Sequence, residues 1–112
     1  MQLIKFKDKK NKLAIFFSNH ELKSILQLYS LNVANGIFKD YSLDYTSKNA
    51  IFSFYKHTYD KPLFQIEKII QNKNNYVTEF SIVYKKKILE KNKSLNILIN
   101  RLAKKFKILK LH

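Results

Sequence analysis

The chain has 112 residues, with 22 Lys plus Arg against 8 Asp plus Glu, a formal net charge of +14, no Cys, no Trp, one Gly and one Pro. That length fits one domain with a real core, and 46% apolar against 27% charged residues excludes a disordered basic tail. The lack of Cys excludes a disulfide framework and a thiolate zinc site.

Lys, Asn, Ile, Phe and Tyr make up 61 of the 112 residues, and Arg101 is the sole Arg. An AT-rich genome would enrich all five, so Lys content alone does not establish a polyanionic partner. The excess of Lys over acid is harder to explain that way, because Asp and Glu codons also suit such genomes. Met1–Phe6 runs straight into the charged Lys7–Lys12, with no apolar h-region and no small-residue cleavage site. No apolar run approaches the roughly 20 residues of a membrane helix. A soluble cytoplasmic protein without membrane insertion is expected.

In chain order, residues 1–12 form a basic segment in which Leu3–Phe6 suits a short edge strand and Lys7–Lys12 a solvated turn. Leu13–Phe17 (LAIFF) is an apolar run of strand length. Ser18 with Glu21 fits a capping box, and Asn19 is an alternative cap. Leu22, Ile25, Leu26, Tyr29 and Val33 then recur at helical spacing, widened by Leu28 and Leu31. Gly36 stands where a left-handed residue would end the helix, so residues 19–35 are predicted helical. Four strand-like runs follow: Tyr41–Tyr45, Ala50–Lys56, Leu63–Ile69 and Tyr76–Tyr84. The last alternates Tyr76, Thr78, Phe80, Ile82 and Tyr84 against Val77, Glu79, Ser81 and Val83. Turn signals at Thr46–Asn49, His57–Pro62 and Gln71–Asn75 separate them. Short connections favour an antiparallel meander. Ile88 and Leu89 suit a further short strand. Ser94 can cap a second helix, with Leu95, Leu98, Ile99, Leu102 and Phe106 on its apolar stripe, Asn96, Asn100, Lys104 and Lys107 opposite, and Arg101 and Lys105 flanking. Residues 108–112 are expected to fray. The fold class is α+β: one domain over 1–112, an antiparallel sheet meander covered by two amphipathic helices.

The order HELKSILQLYSLNVANG (His20–Gly36), IFKDYSLD (Ile37–Asp44), AIFSFYK (Ala50–Lys56) and PLFQIEK (Pro62–Lys68) resembles a small alphaproteobacterial family, domain of unknown function 2794. The resemblance covers about Phe16 to Phe106. Phe38 stands where that family tends to have Trp, and Lys39 and Gln65 where it tends to have Arg. Lys in place of Arg loses the planar bidentate fork, which weakens any phosphate or carboxylate clamp there. The resemblance implies a shared fold and brings no activity with it.

Catalytic signatures are lacking. There is no HExxH, no nucleophile elbow, and one glycine cannot build a P-loop. Asp40, Asp44, His57 and Glu67 would have to meet in one pocket for an enzyme. Turn and surface acids paired with Lys are the simpler expectation, so no activity, cofactor or metal is expected.

Three basic groups stand out: Lys5, Lys7, Lys9, Lys10 and Lys12; Lys85, Lys86, Lys87, Lys91 and Lys93; and Arg101, Lys104, Lys105, Lys107 and Lys110. A polyanion would gain from all of them by counterion release; the alternative is a solvated Lys face. Tyr55, Lys56, His57 and Tyr59 interleave rings with cations, as single-stranded RNA sites do. Phe52, Phe54, Phe64 and Phe80 read as core instead, while Tyr55 and Tyr59 are divided between cross-strand packing and base stacking. No RRM, KH or zinc-finger signature is present, and two helices some sixty residues apart do not form a helix-turn-helix. The expectation is a non-enzymatic nucleic-acid-binding protein, for RNA or the ribosome ahead of DNA. Its site would be Lys85, Lys86, Lys87, Arg101, Lys104, Lys105 and Lys107 with Tyr55 and Tyr59. The alternative is a regulatory subunit that binds an acidic protein or forms a homodimer.

Overall fold

Side chains two apart on a strand share a face, and the register carries that alternation across the sheet. Tyr41, Leu43 and Tyr45 of β2 (Asp40–Tyr45) lie opposite Phe54, Phe52 and Ala50 of β3 (Ala50–Tyr55). Those residues face Phe64, Ile66 and Lys68 of β4 (Phe64–Asn72), which face Tyr84, Ile82 and Phe80 of β5 (Tyr76–Tyr84). The last strand, β6 (Lys87–Asn92), pairs with β5 through an irregularity at Ile82/Val83. The computed structural model describes residues 4–6, 13–72 and 76–110. Lys7–Lys12, the tip Lys73–Asn75 of one expected turn, and Leu111–His112 lie outside them.

Strand order equals chain order, and β2 to β6 run antiparallel, as the short connections require. One edge differs. β1 (Ile4–Phe6) pairs with β2 in parallel. A parallel neighbour needs a crossover, and α1 (Asn19–Ala34) supplies it. With β1 on the edge of β2, Leu13–Phe17 is not the strand expected of an apolar run. It is an extended connection that bonds through Ile15 N–H to Thr46 O (2.7 Å). Leu13 is exposed, while Phe17 is buried against Tyr45.

Ser18 begins α1 with the predicted capping box. Its Oγ accepts from Glu21 N–H (3.1 Å), and Glu21 Oε1 accepts from Ser18 N–H (2.8 Å). Gly36 at φ +78° ends the helix. Its N–H donates to Val33 O and that of Ile37 to Asn32 O, each 2.9 Å, a Schellman pair. The buried line is Ile25, Leu28 and Asn32; Leu31 and Val33, expected on the apolar face, are exposed. Asn32 tolerates burial because its Nδ2 donates to Leu28 O (2.7 Å) while its carbonyl holds the turn into β2.

Both helices cover the same sheet face. Tyr29 of α1 meets Tyr41 edge-on at 4.8 Å. Leu95, Leu98, Leu102 and Phe106 of α2 (Leu95–Lys110) are buried, the stripe read from the spacing. The helix continues through Ile108, Leu109 and Lys110, where fraying was expected. Phe106 closes the core against Phe38 (4.8 Å), Phe64 (5.2 Å) and Phe54 (5.5 Å). Phe52, Phe54, Phe64 and Phe80 are all core. One cation is buried with them: Lys68, 9% exposed, donates from Nζ to Phe16 O and Glu21 Oε1, both at 2.8 Å. That contact ties the start of α1 to the middle of the sheet.

Candidate nucleic-acid interface

Four pieces of chain converge at one end of the sheet: the α1 exit (Asn35–Lys39), the β3–β4 connection (Lys56–Leu63), the β5–β6 turn and the last turn of α2. Backbone and side-chain bonds tie them together. Lys39 N–H donates to Tyr55 O (2.9 Å), Leu63 N–H to Phe54 O (2.9 Å), Lys85 N–H to Leu63 O (3.2 Å), and Lys110 Nζ to Asn35 Oδ1 (3.2 Å). Between them runs an open groove of about 880 Å³. Lys56, His57, Lys61, Lys85 and Lys86 line it with one acid, Asp60, and Leu63 and Tyr84 supply its apolar wall. Two helix C-termini end here, and their negative dipole ends lower the mutual repulsion of the lysines.

The β5–β6 turn is unusual. Tyr84 pairs with Lys87, so Lys85 and Lys86 are a two-residue hairpin loop, at φ +46° and +69°. Positive φ at both positions is the type I′ turn that normally carries Asn-Gly. Two lysines there cost about 1–2 kcal/mol each relative to glycine-like freedom. Lys85 Nζ also lies 5.3 Å from the Tyr84 ring centroid, a weak cation–π contact.

The structure distributes the expected residues unevenly. Lys85 and Lys86 enter the groove; Lys87 starts β6 beside it, and Lys107 is in the last turn of α2 at the same end. Arg101 is occupied elsewhere, its guanidinium 3.2 Å from Glu90 Oε2. Lys105, one turn on, shares that β6-facing side of α2, and Lys104 points away from the core. Tyr59 is fully exposed at the tip of the β3–β4 connection. Tyr55 lies on the uncovered sheet face, its hydroxyl 3.0 Å from Ser42 Oγ, lining a hollow with Asp40 and Asp60. Lys7, Lys9, Lys10 and Lys12 lie outside the described residues. Sequence reasoning missed Lys61 and left Lys56 as a mere neighbour of Tyr55. Their joining depends on Leu63 reaching both Phe54 and Lys85, a long-range contact that spacing does not encode.

The uncovered face is acidic. By register it carries Asp40 and Asp44 on β2, Glu67 on β4 and Glu79 on β5, with Lys91 at its β6 margin. Asp44 and Glu67 flank Ile51 in one row, and Glu67 Oε2 accepts from Asn49 Nδ2 (2.8 Å). His57 is on the end loop and shares no strand row with them. On the covered face, burial pushes the Tyr29, Tyr41 and Tyr45 hydroxyls above their ordinary value of 10.0, and the Asp40 charge adds to this for Tyr29 and Tyr41. Among the described residues no helix is long and apolar enough to cross a membrane.

The model of a family described as protein of unknown function (DUF2794) matches residues 15–99. The chain belongs to the DUF2794 family. No curated protein and no solved structure matches it. The DUF2794 match takes in α1, the whole β2–β6 meander and the start of α2. It stops short of the Phe106 expected from the resemblance. All five basic groove residues fall within it, whereas Arg101, Lys104, Lys105 and Lys107 fall beyond it.

Proposed function

We propose that this protein is a small, non-enzymatic, cytoplasmic nucleic-acid-binding module that holds a single-stranded RNA backbone in the groove at the end of its sheet. The observation that carries this is the convergence of Lys56, Lys61, Lys85 and Lys86 on one groove whose lining has a single acid. Two of the four sit at strained backbone positions, and non-glycine residues held at positive φ are concentrated at functional sites. RNA is favoured over duplex DNA because a short groove beside an exposed ring, Tyr59, suits unstacked bases. Tyr55 drops out of the site, since its hydroxyl is bonded to Ser42 Oγ on the sheet face away from the helices and it does not line the groove.

Four lysine–phosphate contacts on a single strand give a log–log salt slope of about −3. The test is fluorescence anisotropy of a short labelled single-stranded RNA against a salt series, beside duplex DNA. Micromolar or tighter binding near physiological salt, RNA ahead of DNA, with that slope, is expected. Equal, weak binding of both polymers that disappears at moderate salt refutes it.

A further inference from the structure

The edge of the sheet at β6 combines three properties. No described strand pairs with its outer side, so it presents unpaired backbone N–H and C=O groups. Ile88 (53% exposed) and Leu89 (44%) stand open on it. The adjoining side of α2 adds Ile97 (41%) and Ile108 (59%). These share with Arg101 the flank turned toward β6, because Arg101 reaches Glu90 and residues three, four or seven apart fall on one side of a helix. A strand of six residues spans about 20 Å and a helix of sixteen about 24 Å, so the two are of similar length, and the Arg101–Glu90 pair joins them.

The charges choose the occupant. Lys87, Lys91, Lys93, Lys104 and Lys105 surround these apolar residues, and the one acid, Glu90, is paired with Arg101. Lysines and a bulge on an edge strand normally prevent edge-to-edge pairing. Here they prevent it with a second copy in particular, since a two-fold would set the Lys87, Lys91 and Lys93 cluster of one copy against that of the other. They do not oppose an acidic strand. We propose that the β6 edge and the adjoining side of α2 form a docking surface for an extended acidic peptide, which adds antiparallel to β6. Its side chains fall alternately on the two faces, so a pair of neighbouring apolar residues would cover Ile88 on one face and Ile97 on the other. Its carboxylates would face Lys91, Lys93, Lys104 and Lys105. This site is separate from the RNA groove.

The test uses the full chain and a capped synthetic peptide of Val-Val-Glu-Glu repeats (the Val–Glu peptide), which sets both residue types on both faces, with a Val-Val-Lys-Lys peptide (Val–Lys) as control, read by anisotropy and by amide hydrogen exchange. The Val–Glu peptide should bind, weaken with salt and slow exchange over Ile88–Asn92; the Val–Lys peptide should not bind. Ile88→Thr with Ile97→Gln, two exposed positions, should weaken binding about tenfold or more and leave RNA affinity unchanged. Lys85→Asn with Lys86→Gly should do the reverse, which keeps failure here distinct from failure of the groove. Three results overturn the proposal: no binding of the Val–Glu peptide; β6 protection in the protein alone with a dimer mass, which assigns the edge to a second copy; or RNA protecting β6 and displacing the peptide, which assigns it to nucleic acid.

Discussion

Replacing Lys85 by Asn and Lys86 by Gly sets stability against binding within a single turn. The native lysines occupy φ +46° and +69°, where L-residues lose about 1–2 kcal/mol each. Asn recovers part of this and Gly most of it, less the 0.5–1 kcal/mol or so of extra freedom that Gly carries when unfolded. The net gain is about 1–2 kcal/mol. For 112 residues the unfolding entropy is about 0.24 kcal/mol per kelvin, so Tm should rise by about 4–8 °C. The same double variant removes two of four groove cations. On single-stranded RNA each contributes about 0.7 to the salt slope, so the slope should shrink by about 1.4, and affinity at 0.1 M salt should fall by roughly 25-fold. Thermal unfolding by circular dichroism and anisotropy across a salt series read the two effects separately. A lowered Tm would show that the turn holds no strain, and an unchanged salt slope would remove the turn from the interface. Lys85→Arg with Lys86→Arg, which keeps both strain and charge, should leave both measurements near wild type.

Three further outcomes follow from the core and its caps. Lys68→Met strips Glu21 and the Phe16 carbonyl of their buried donor and should cost about 2–3 kcal/mol in urea unfolding; a double-mutant cycle with Glu21→Gln that gives a coupling below about 0.5 kcal/mol contradicts the direct bond. Gly36→Ala meets no atom within 4 Å at its Cβ, so its cost of about 1 kcal/mol is purely conformational; the m-value should stay unchanged, and Gly36→Asn should cost less. Tyr29, Tyr41 and Tyr45 have pKa values raised by burial above 10.0, so the unfolded chain releases their protons first. The stability they lend is complete below pH 10.0 and is lost as pH climbs past it. Tyrosinate absorbance should therefore rise together with loss of the far-ultraviolet signal, and Tyr29→Phe should move that unfolding to higher pH.

The strands were legible because one face of the sheet is covered: burial on one side imprints a period of two, and Phe52, Phe54, Phe64, Phe80 and Ile82 carry it. The ends of α1 were legible because Ser18, Glu21 and Gly36 act through bonds to residues three to five away. Leu13–Phe17 was not, because composition says nothing of which segment takes the edge of β2. Nor was Val33, which lies one residue round the helix from the buried line of Ile25, Leu28 and Asn32, a line that a polar Asn disguises. Lys85 and Lys86 could be read as a turn with two cations. Their union with Lys56 and Lys61 needed the fold, as did the engagement of Arg101 with Glu90.

Phe106 touches the rings of Phe38, Phe54 and Phe64 from the last turns of α2. Its place late in the chain sets an order for synthesis. The hairpins β2–β3, β3–β4 and β4–β5 join sequence neighbours and can form as they emerge, each against the one before. α1 already covers part of that face, but the part under Phe106 stays bare until α2 arrives. For that interval a nascent chain displays Phe54 and Phe64 on a half-covered sheet, with Phe38 beside it, so a stall or truncation before Leu98 would yield a sticky intermediate. A basic protein made this way depends on its final helix less for shape than for protection from its own kind.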